Sequence, residues 1–179
     1  MRPRRLAFVA LGALLAALPA TPRELGRLSL DEGLSQSIVE AIHQDRLGFL
    51  WLATEDGLNR WDGARFTVFR NAPGEARSFP YNDLKCLDED AQGALWVGSF
   101  GGGLNRFDPA TGRVTSYRND PADPASLPSD LVRAVRVDRD GRIWAGTQGG
   151  GLARLDPRTG RFERFRHDAR DGASLAHDD

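Results

Sequence analysis

The 179-residue sequence has a single cysteine and almost no net charge. Cys86 is the only cysteine, which excludes an intramolecular disulfide and a cysteine-based zinc site within the chain. The formal net charge is -1, so electrostatics gives no reason to expect nucleic acid or an anionic membrane as a partner. Beyond the first twenty residues, no apolar run is long enough to cross a bilayer.

Glycine and proline are plentiful instead, with 20 and 10 residues respectively. This content is high for a helical protein and suits a β protein with many turns. The hydrophobic fraction of 40% and the length are sufficient for one domain with a sizeable core.

The N-terminus has the layout of a secretory signal peptide. Residues 1–5 are basic, residues 6–18 are apolar, and residues 19–22 combine small residues with helix-breaking prolines. We predict a signal peptide over residues 1–20 and an N-terminal lead-in over 21–32, with an uncleaved membrane anchor as the alternative. The chain is therefore expected to be exported to the periplasm.

One motif occurs three times, at residues 45–62, 90–108 and 138–156. Internal repeats take precedence over local patterns, because a repeat indicates one structural unit used several times. We assign structural roles to the positions that recur: Asp45, Asp90 and Asp138; Gly48, Gly93 and Gly141; Trp51, Trp96 and Trp144; Gly57, Gly103 and Gly151.

Each repeat has the pattern of four short strands separated by turns. In the third copy the strand-like segments are 131–137, 142–147, 152–156 and 161–166. Four antiparallel strands in about 40–50 residues are typical of one blade of a β-propeller. We therefore predict an all-β fold in which the tryptophans pack between stacked blades.

Three blades are expected, at residues 33–80, 81–128 and 129–176, with residues 177–179 starting a truncated fourth. Propellers close with about four to eight blades. We therefore expect this chain to be the incomplete part of a seven-bladed propeller, and the alternative is closure by oligomerisation.

These repeats resemble the two-component regulator propeller repeat, whose pattern is roughly D-x-x-G-x-L-W-x-G-T-x-x-G-G-L-x-R-x-D. Residues 90–108 and 138–156 match it nearly throughout. The first copy departs from it by having Ala53 for a glycine and Glu55-Asp56-Gly57 in place of the glycine-rich turn.

The resemblance implies the periplasmic sensor of an inner-membrane receptor whose output is a histidine kinase, often hybrid, or a diguanylate cyclase with a GGDEF domain. It also implies further blades, downstream signalling domains and a homodimer in the full-length form. We expect no enzymatic activity in this segment. A secreted propeller lectin or carbohydrate-binding module that closes by oligomerisation is the alternative, and a propeller hydrolase is a third.

We predict no catalytic residues, metal or cofactor. Asp45, Asp90 and Asp138 each begin a glycine-containing turn, which favours Asx turns because the distal ligands of a calcium loop are missing. The glycine-rich turns lack the Lys-Ser/Thr of a phosphate-binding loop. Acidic residues that recur with the repeat do not form the placed carboxylate pair of a glycosidase.

Three arginines also recur in phase: Arg60, Arg106 and Arg154. A solvated strand face, or pairing with Asp62, Asp108 and Asp156, explains them without a ligand. A row of arginines that faces an anionic ligand is the alternative.

Residues that break the repeat are better candidates for a binding site, because the fold does not require them. Loops on a rigid scaffold commonly carry binding residues. We predict that an unidentified small-molecule or glycan ligand contacts Glu55, Asp56, Trp61, Phe100 and Gln148.

Overall fold

The fold is all-β, as the sequence predicts. A computed structural model describes residues 28–75 and 77–179. The predicted signal peptide and residues 21–27 of the predicted lead-in lie outside the described residues. Within the described ranges the chain forms three four-stranded antiparallel sheets, which we call blades 1, 2 and 3.

The strands follow chain order within each blade. Blade 1 contains β1 Val39–Gln44, β2 Leu50–Thr54, β3 Gly57–Trp61 and β4 Phe66–Phe69. Blade 2 contains β5 Leu84–Glu89, β6 Leu95–Ser99, β7 Gly103–Asp108 and β8 Arg113–Tyr117. Blade 3 contains β9 Val132–Val137, β10 Ile143–Thr147, β11 Gly151–Asp156 and β12 Arg161–Phe165.

The blades stack through their first strands. Strand β1 contacts β5, and β5 contacts β9, whereas β4, β8 and β12 form the outer edges. Each sheet falls within one of the predicted units 33–80, 81–128 and 129–176, and the borders between these units remain predictions. A 3₁₀ turn at Leu30–Glu32, capped by Ser29, precedes blade 1. Among the described residues, no helix is long and apolar enough to cross a membrane.

The core lies between the blades. Between blades 1 and 2, Trp51 and Leu58 of blade 1 pack with Leu95 and Phe107 of blade 2. Phe79, from the segment that joins these blades, is buried in the same cluster. Burying aromatic and branched side chains from both sheets supplies the main stabilisation of such a junction.

The junction between blades 2 and 3 repeats this arrangement with other residues. Trp96 and Leu104 of blade 2 pack with Ile143 and Leu155 of blade 3, and Leu127 of the joining segment is buried among them. The repeated apolar positions of the sequence thus meet across two junctions.

The outer face of blade 3 is not covered by another blade of this chain. Trp51 and Trp96 are 0% and 1% exposed, whereas Trp144, at the equivalent position in blade 3, is only partly buried. Leu175 corresponds to Phe79 and Leu127 and is likewise only partly buried. The burial of each repeat tryptophan therefore depends on the blade that follows it.

Candidate functional site

The recurring aspartates hold the recurring tryptophans. In blade 1, Asp45 Oδ1 accepts hydrogen bonds from the backbone N–H groups of Leu47 and Phe49, both at 2.9 Å. Its Oδ2 accepts a 2.7 Å hydrogen bond from Trp51 Nε1. Each carboxylate thus closes an Asx turn and satisfies a buried indole N–H.

Asp90 and Asp138 do the same in the other blades. Their Oδ2 atoms accept from Trp96 Nε1 at 3.0 Å and from Trp144 Nε1 at 2.9 Å. The hydrogen bond from Trp144 lowers the pKa of Asp138 below its ordinary value, with further contributions from backbone N–H groups. No group of three or more potential metal-ligating side chains occurs in residues 28–75 and 77–179.

The recurring arginines lie directly across the sheet from these tryptophans. Arg60 pairs with Trp51 in strand register, and its guanidinium lies 5.0 Å from the ring centre of Phe49 and 5.8 Å from that of Trp51. Arg106 Nε lies 3.5 Å from Asp90 Oδ2. Arg154 binds Glu163 and lies 5.3 Å from the Trp144 ring.

The expected pairing of these arginines with Asp62 and Asp156 is not what the structure shows. Asp62 and Asp156 instead form ion pairs with Arg65 and Arg158 in their own turns. Arg60 and Arg154 instead extend across the sheet over aromatic rings, which attract a planar cation.

Four of the five predicted ligand-binding residues lie at one end of the blades. Glu55 and Asp56 occupy the β2–β3 turn, Phe100 follows β6, and Gln148 follows β10. Trp61 is the last residue of β3, at the opposite end, where its ring packs 4.9 Å from that of Phe66. The register places Trp61 opposite Leu50, as Phe107 lies opposite Leu95 in blade 2, so Trp61 occupies a blade-packing position.

Two basic residues of the first strands join the turn residues, and we name this end of the blades the mouth. Lys85 Nζ lies 2.7 Å from Glu40 Oε1, 2.8 Å from Asp83 Oδ1 and 3.3 Å from Glu55 Oε1. The Lys85 side chain is 10% exposed. Burial opposes its charge, but the hydrogen bonds to Asp83, Glu40 and Glu55 prevail and raise the pKa of Lys85.

Arg133 is the counterpart of Lys85 in blade 3. Its Nε and Nη2 donate to Gln148 Oε1 at 3.2 and 2.9 Å. Its guanidinium lies 4.4 Å from the ring centre of Phe100, across the junction between blades 2 and 3. The mouth therefore combines carboxylates, two cations, an amide and an aromatic ring.

Sequence reasoning missed the first-strand residues of the mouth. Glu40, Lys85 and Arg133 occupy equivalent positions of β1, β5 and β9, and the first is acidic whereas the other two are basic. That change of sign at one repeat position was the available signal. A cavity of about 510 Å³ is lined by Glu55 and Asp83, two partners of Lys85, together with Asn71, Pro80, Tyr81 and Asn82.

Two other titratable side chains lie between blades. Cys86 is buried, and burial raises the pKa of its thiol to about 12. His43 has its Nε2 3.4 Å from Glu89 Oε2 of blade 2. The contact forms because β1 and β5 approach each other at the junction.

Residues 126–149 match the family model described as two component regulator propeller. The extracellular domain of a hybrid two-component system from B. thetaiotaomicron is 30% identical, with a TM-score of 0.76 over 86% of this chain and 21% of that chain. A second such domain from this organism, 22% identical with a TM-score of 0.65, covers 82% of this chain and 19% of its own length and shares the fold.

Histidine kinase P4 of Formosa agariphila is 51% identical over 47 residues, which are 26% of this chain and 3% of the kinase. The chain thus spans about a fifth of the solved extracellular domain and 3% of the kinase. The matched residues contain the third copy's Asp138, Gly141 and Trp144, whose geometry recurs in the other two blades. Residues 126–149 thus match the two-component regulator propeller repeat, and the same aspartate–tryptophan contact recurs in the other two blades.

Proposed function

We propose that this chain is the extracytoplasmic ligand-sensing propeller segment of a transmembrane signalling receptor. The observation that carries this proposal is the 30% identity and TM-score of 0.76 with the extracellular domain of a hybrid two-component system. The short match to a histidine kinase points to the same class of protein. The segment works in the periplasm and is joined to further blades, an inner-membrane helix and a cytoplasmic kinase or GGDEF cyclase.

The ligand, a small molecule or glycan, binds at the mouth. Phe100 offers a flat apolar surface, and Gln148, Arg133 and Glu55 offer polar groups around it. Binding sites commonly combine such apolar and directed polar contacts. Binding biases the arrangement of a receptor homodimer, and this bias changes the output activity across the membrane.

The segment itself is non-catalytic. Of the acidic residues of the mouth, Glu40, Glu55 and Asp83 pair with Lys85, and Asp56 pairs with Arg70. Carboxylates held in ion pairs are poorly placed to act as general acid and base, because such catalysis needs a group within hydrogen-bond reach of the substrate.

The coding sequence downstream of codon 179 tests the receptor assignment. We expect further repeats, one membrane helix, and a kinase or GGDEF domain. A stop codon directly after codon 179 would contradict the assignment.

The mouth is tested separately by calorimetric titration with a panel of neutral and acidic oligosaccharides and amino acids. We expect one probe class to bind the wild type, with binding weakened by Phe100→Ala and by Gln148→Ala. Arg65→Ala, an 84% exposed residue at the opposite end, is the matched control and leaves binding unchanged. Equal affinity in all four proteins would place the ligand elsewhere.

A secreted lectin closed by oligomerisation is the second candidate, favoured by the uncovered faces of blades 1 and 3. One feature opposes it: Leu34, buried against blade 1, and Leu175 beside blade 3 occupy equivalent repeat positions. If blade 3 packed on blade 1 of another copy, the segment that contains Leu34 and the segment that contains Leu175 would compete for the same position between the two blades. Light scattering after size exclusion distinguishes the candidates, because the lectin requires a closed oligomer.

A further inference from the structure

Arg60 differs from the other two recurring arginines in having no anionic partner. Arg106 lies near Asp90, and Arg154 binds Glu163. Within the described part of the chain, Arg60 forms no ion pair, and its Nε is buried without a hydrogen-bond partner. A buried charged donor without a partner is costly, so a site that keeps one calls for an explanation.

The side chain of Arg60 lines a cavity of about 230 Å³ between blades 1 and 2, at the end opposite the mouth. Leu47, Phe49 and Trp51 of blade 1 and Pro109 of blade 2 supply apolar walls. The cavity therefore joins one guanidinium to a mostly apolar enclosure, and its volume suits a ligand smaller than a typical drug molecule.

The other charged groups around the cavity are already engaged. Asp45 accepts the three hydrogen bonds that hold its turn and Trp51. Asp108 accepts from the Thr111 hydroxyl at 2.7 Å and from a backbone N–H. Glu89 pairs with Arg46 at 2.7 Å and with His43. Arg60 is thus the cation in this cavity that remains available to a ligand.

From this geometry we infer that the cavity is a second binding site, specific for a small organic monocarboxylate with an apolar or aromatic body. The carboxylate pairs with the Arg60 guanidinium, whose planar donors match two carboxylate oxygens. The apolar body lies against Phe49, Leu47 and Pro109. A phosphate dianion is disfavoured, because Asp45, Asp108 and Glu89 surround the cavity and repel additional negative charge.

Calorimetric titration of the chain with benzoate tests this inference. We expect saturable binding with a dissociation constant of about 1 mM or tighter. Arg60→Met weakens it by about tenfold or more, because a charge-assisted pair is lost. Arg106→Met, the equivalent change in blade 2, leaves it unchanged. Benzamide, which has the same body without the charge, and inorganic phosphate bind much more weakly.

An NMR titration of the wild type tests the same site without any substitution that could affect folding. Benzoate should shift the indole N–H signal of Trp51 and leave that of Trp144 in place. The inference is wrong if benzoate does not bind at about 10 mM, if benzamide binds equally well, or if the Trp51 signal stays fixed at saturation. Because this cavity lies away from the mouth, these outcomes leave the proposed sensing function untouched.

Discussion

Asp90 shows how one residue carries several functions of the repeat. Its carboxylate accepts hydrogen bonds from the backbone of Gln92 and Ala94 and from the indole of Trp96. The turn and the core tryptophan are thus fixed by one side chain that is 7% exposed. The constant separation of aspartate and tryptophan in all three copies was a sign of this contact that the sequence interpretation did not use.

Replacing Asp90 by alanine should therefore destabilise the protein by about 2–3 kcal/mol, because a buried indole N–H loses its acceptor. Asp140→Ala is the matched control, since Asp140 is 69% exposed, and it should change stability by less than about 0.5 kcal/mol. Urea unfolding followed by fluorescence measures both. Equal effects would show that the aspartate–tryptophan contact contributes little.

Glycine can be required because of a positive φ or because a Cβ would collide with a neighbour, and Gly103 and Gly112 distinguish these two reasons. Both have positive φ, 74° and 69°, which alone costs alanine about 1–2 kcal/mol. A Cβ on Gly103 would lie 2.3 Å from the carbonyl oxygen of Tyr117, whereas a Cβ on Gly112 would meet nothing within 4 Å. Gly103→Ala should lower the free energy of unfolding clearly more than Gly112→Ala. Similar losses would mean that β7 and β8 can move apart.

Cys86 should be chemically silent in the folded protein. Burial raises the pKa of its thiol to about 12, so at neutral pH it is protonated as well as inaccessible. A disulfide reagent such as dithionitrobenzoate should react with it only after unfolding in urea. Rapid reaction of the native protein at pH 8 would show that the junction between blades 2 and 3 opens readily.

At the scale of elements, the positions of the strands could largely be predicted from the sequence. The contacts between strands of different blades could not. The sequence placed the first strand of the third copy at 131–137, and the structure has β9 at Val132–Val137. Alternation and turn residues determine such segments locally. The register shift between Val39 and Ala41, by contrast, recurs between Leu84 and Cys86 and depends on how each first strand meets its neighbour.

Lys85 connects β5 to carboxylates from both blade 1 and its own blade. Lys85→Met should destabilise the protein by about 1–3 kcal/mol, because Glu40, Glu55 and Asp83 are left without their cation. Its pKa is raised on folding, so this stabilisation is fully present below the unfolded pKa of about 10.4 and is lost at higher pH.

Unfolding of wild type and Lys85→Met should thus differ by a constant amount from about pH 7 to 9 and by less at more alkaline pH. Arg133→Met is the control, because it removes a cation from the same position of β9. A difference that grows with alkalinity would contradict this assignment.

On the scale of the whole molecule, the periodicity of the sequence was sufficient to predict the blades. It predicted only some of the residues that line the mouth. Glu55, Phe100 and Gln148 share one end because equivalent turns of stacked blades must do so. Trp61 lies at the other end, opposite Leu50, and this position is visible only in the register of β2 and β3. Arg60 was predictable as a repeat position, but the cavity beside it depends on the angle between two sheets.

The central claim is that each repeat tryptophan is a junction residue whose burial depends on the blade that follows. Comparing Trp96→Ala with Trp144→Ala in urea unfolding tests it most directly. Trp96 is 1% exposed between blades 2 and 3, and its removal should cost about 3–5 kcal/mol. Trp144 lies on the uncovered face, and its removal should cost less than about half as much. Equal losses for the two substitutions would contradict the account.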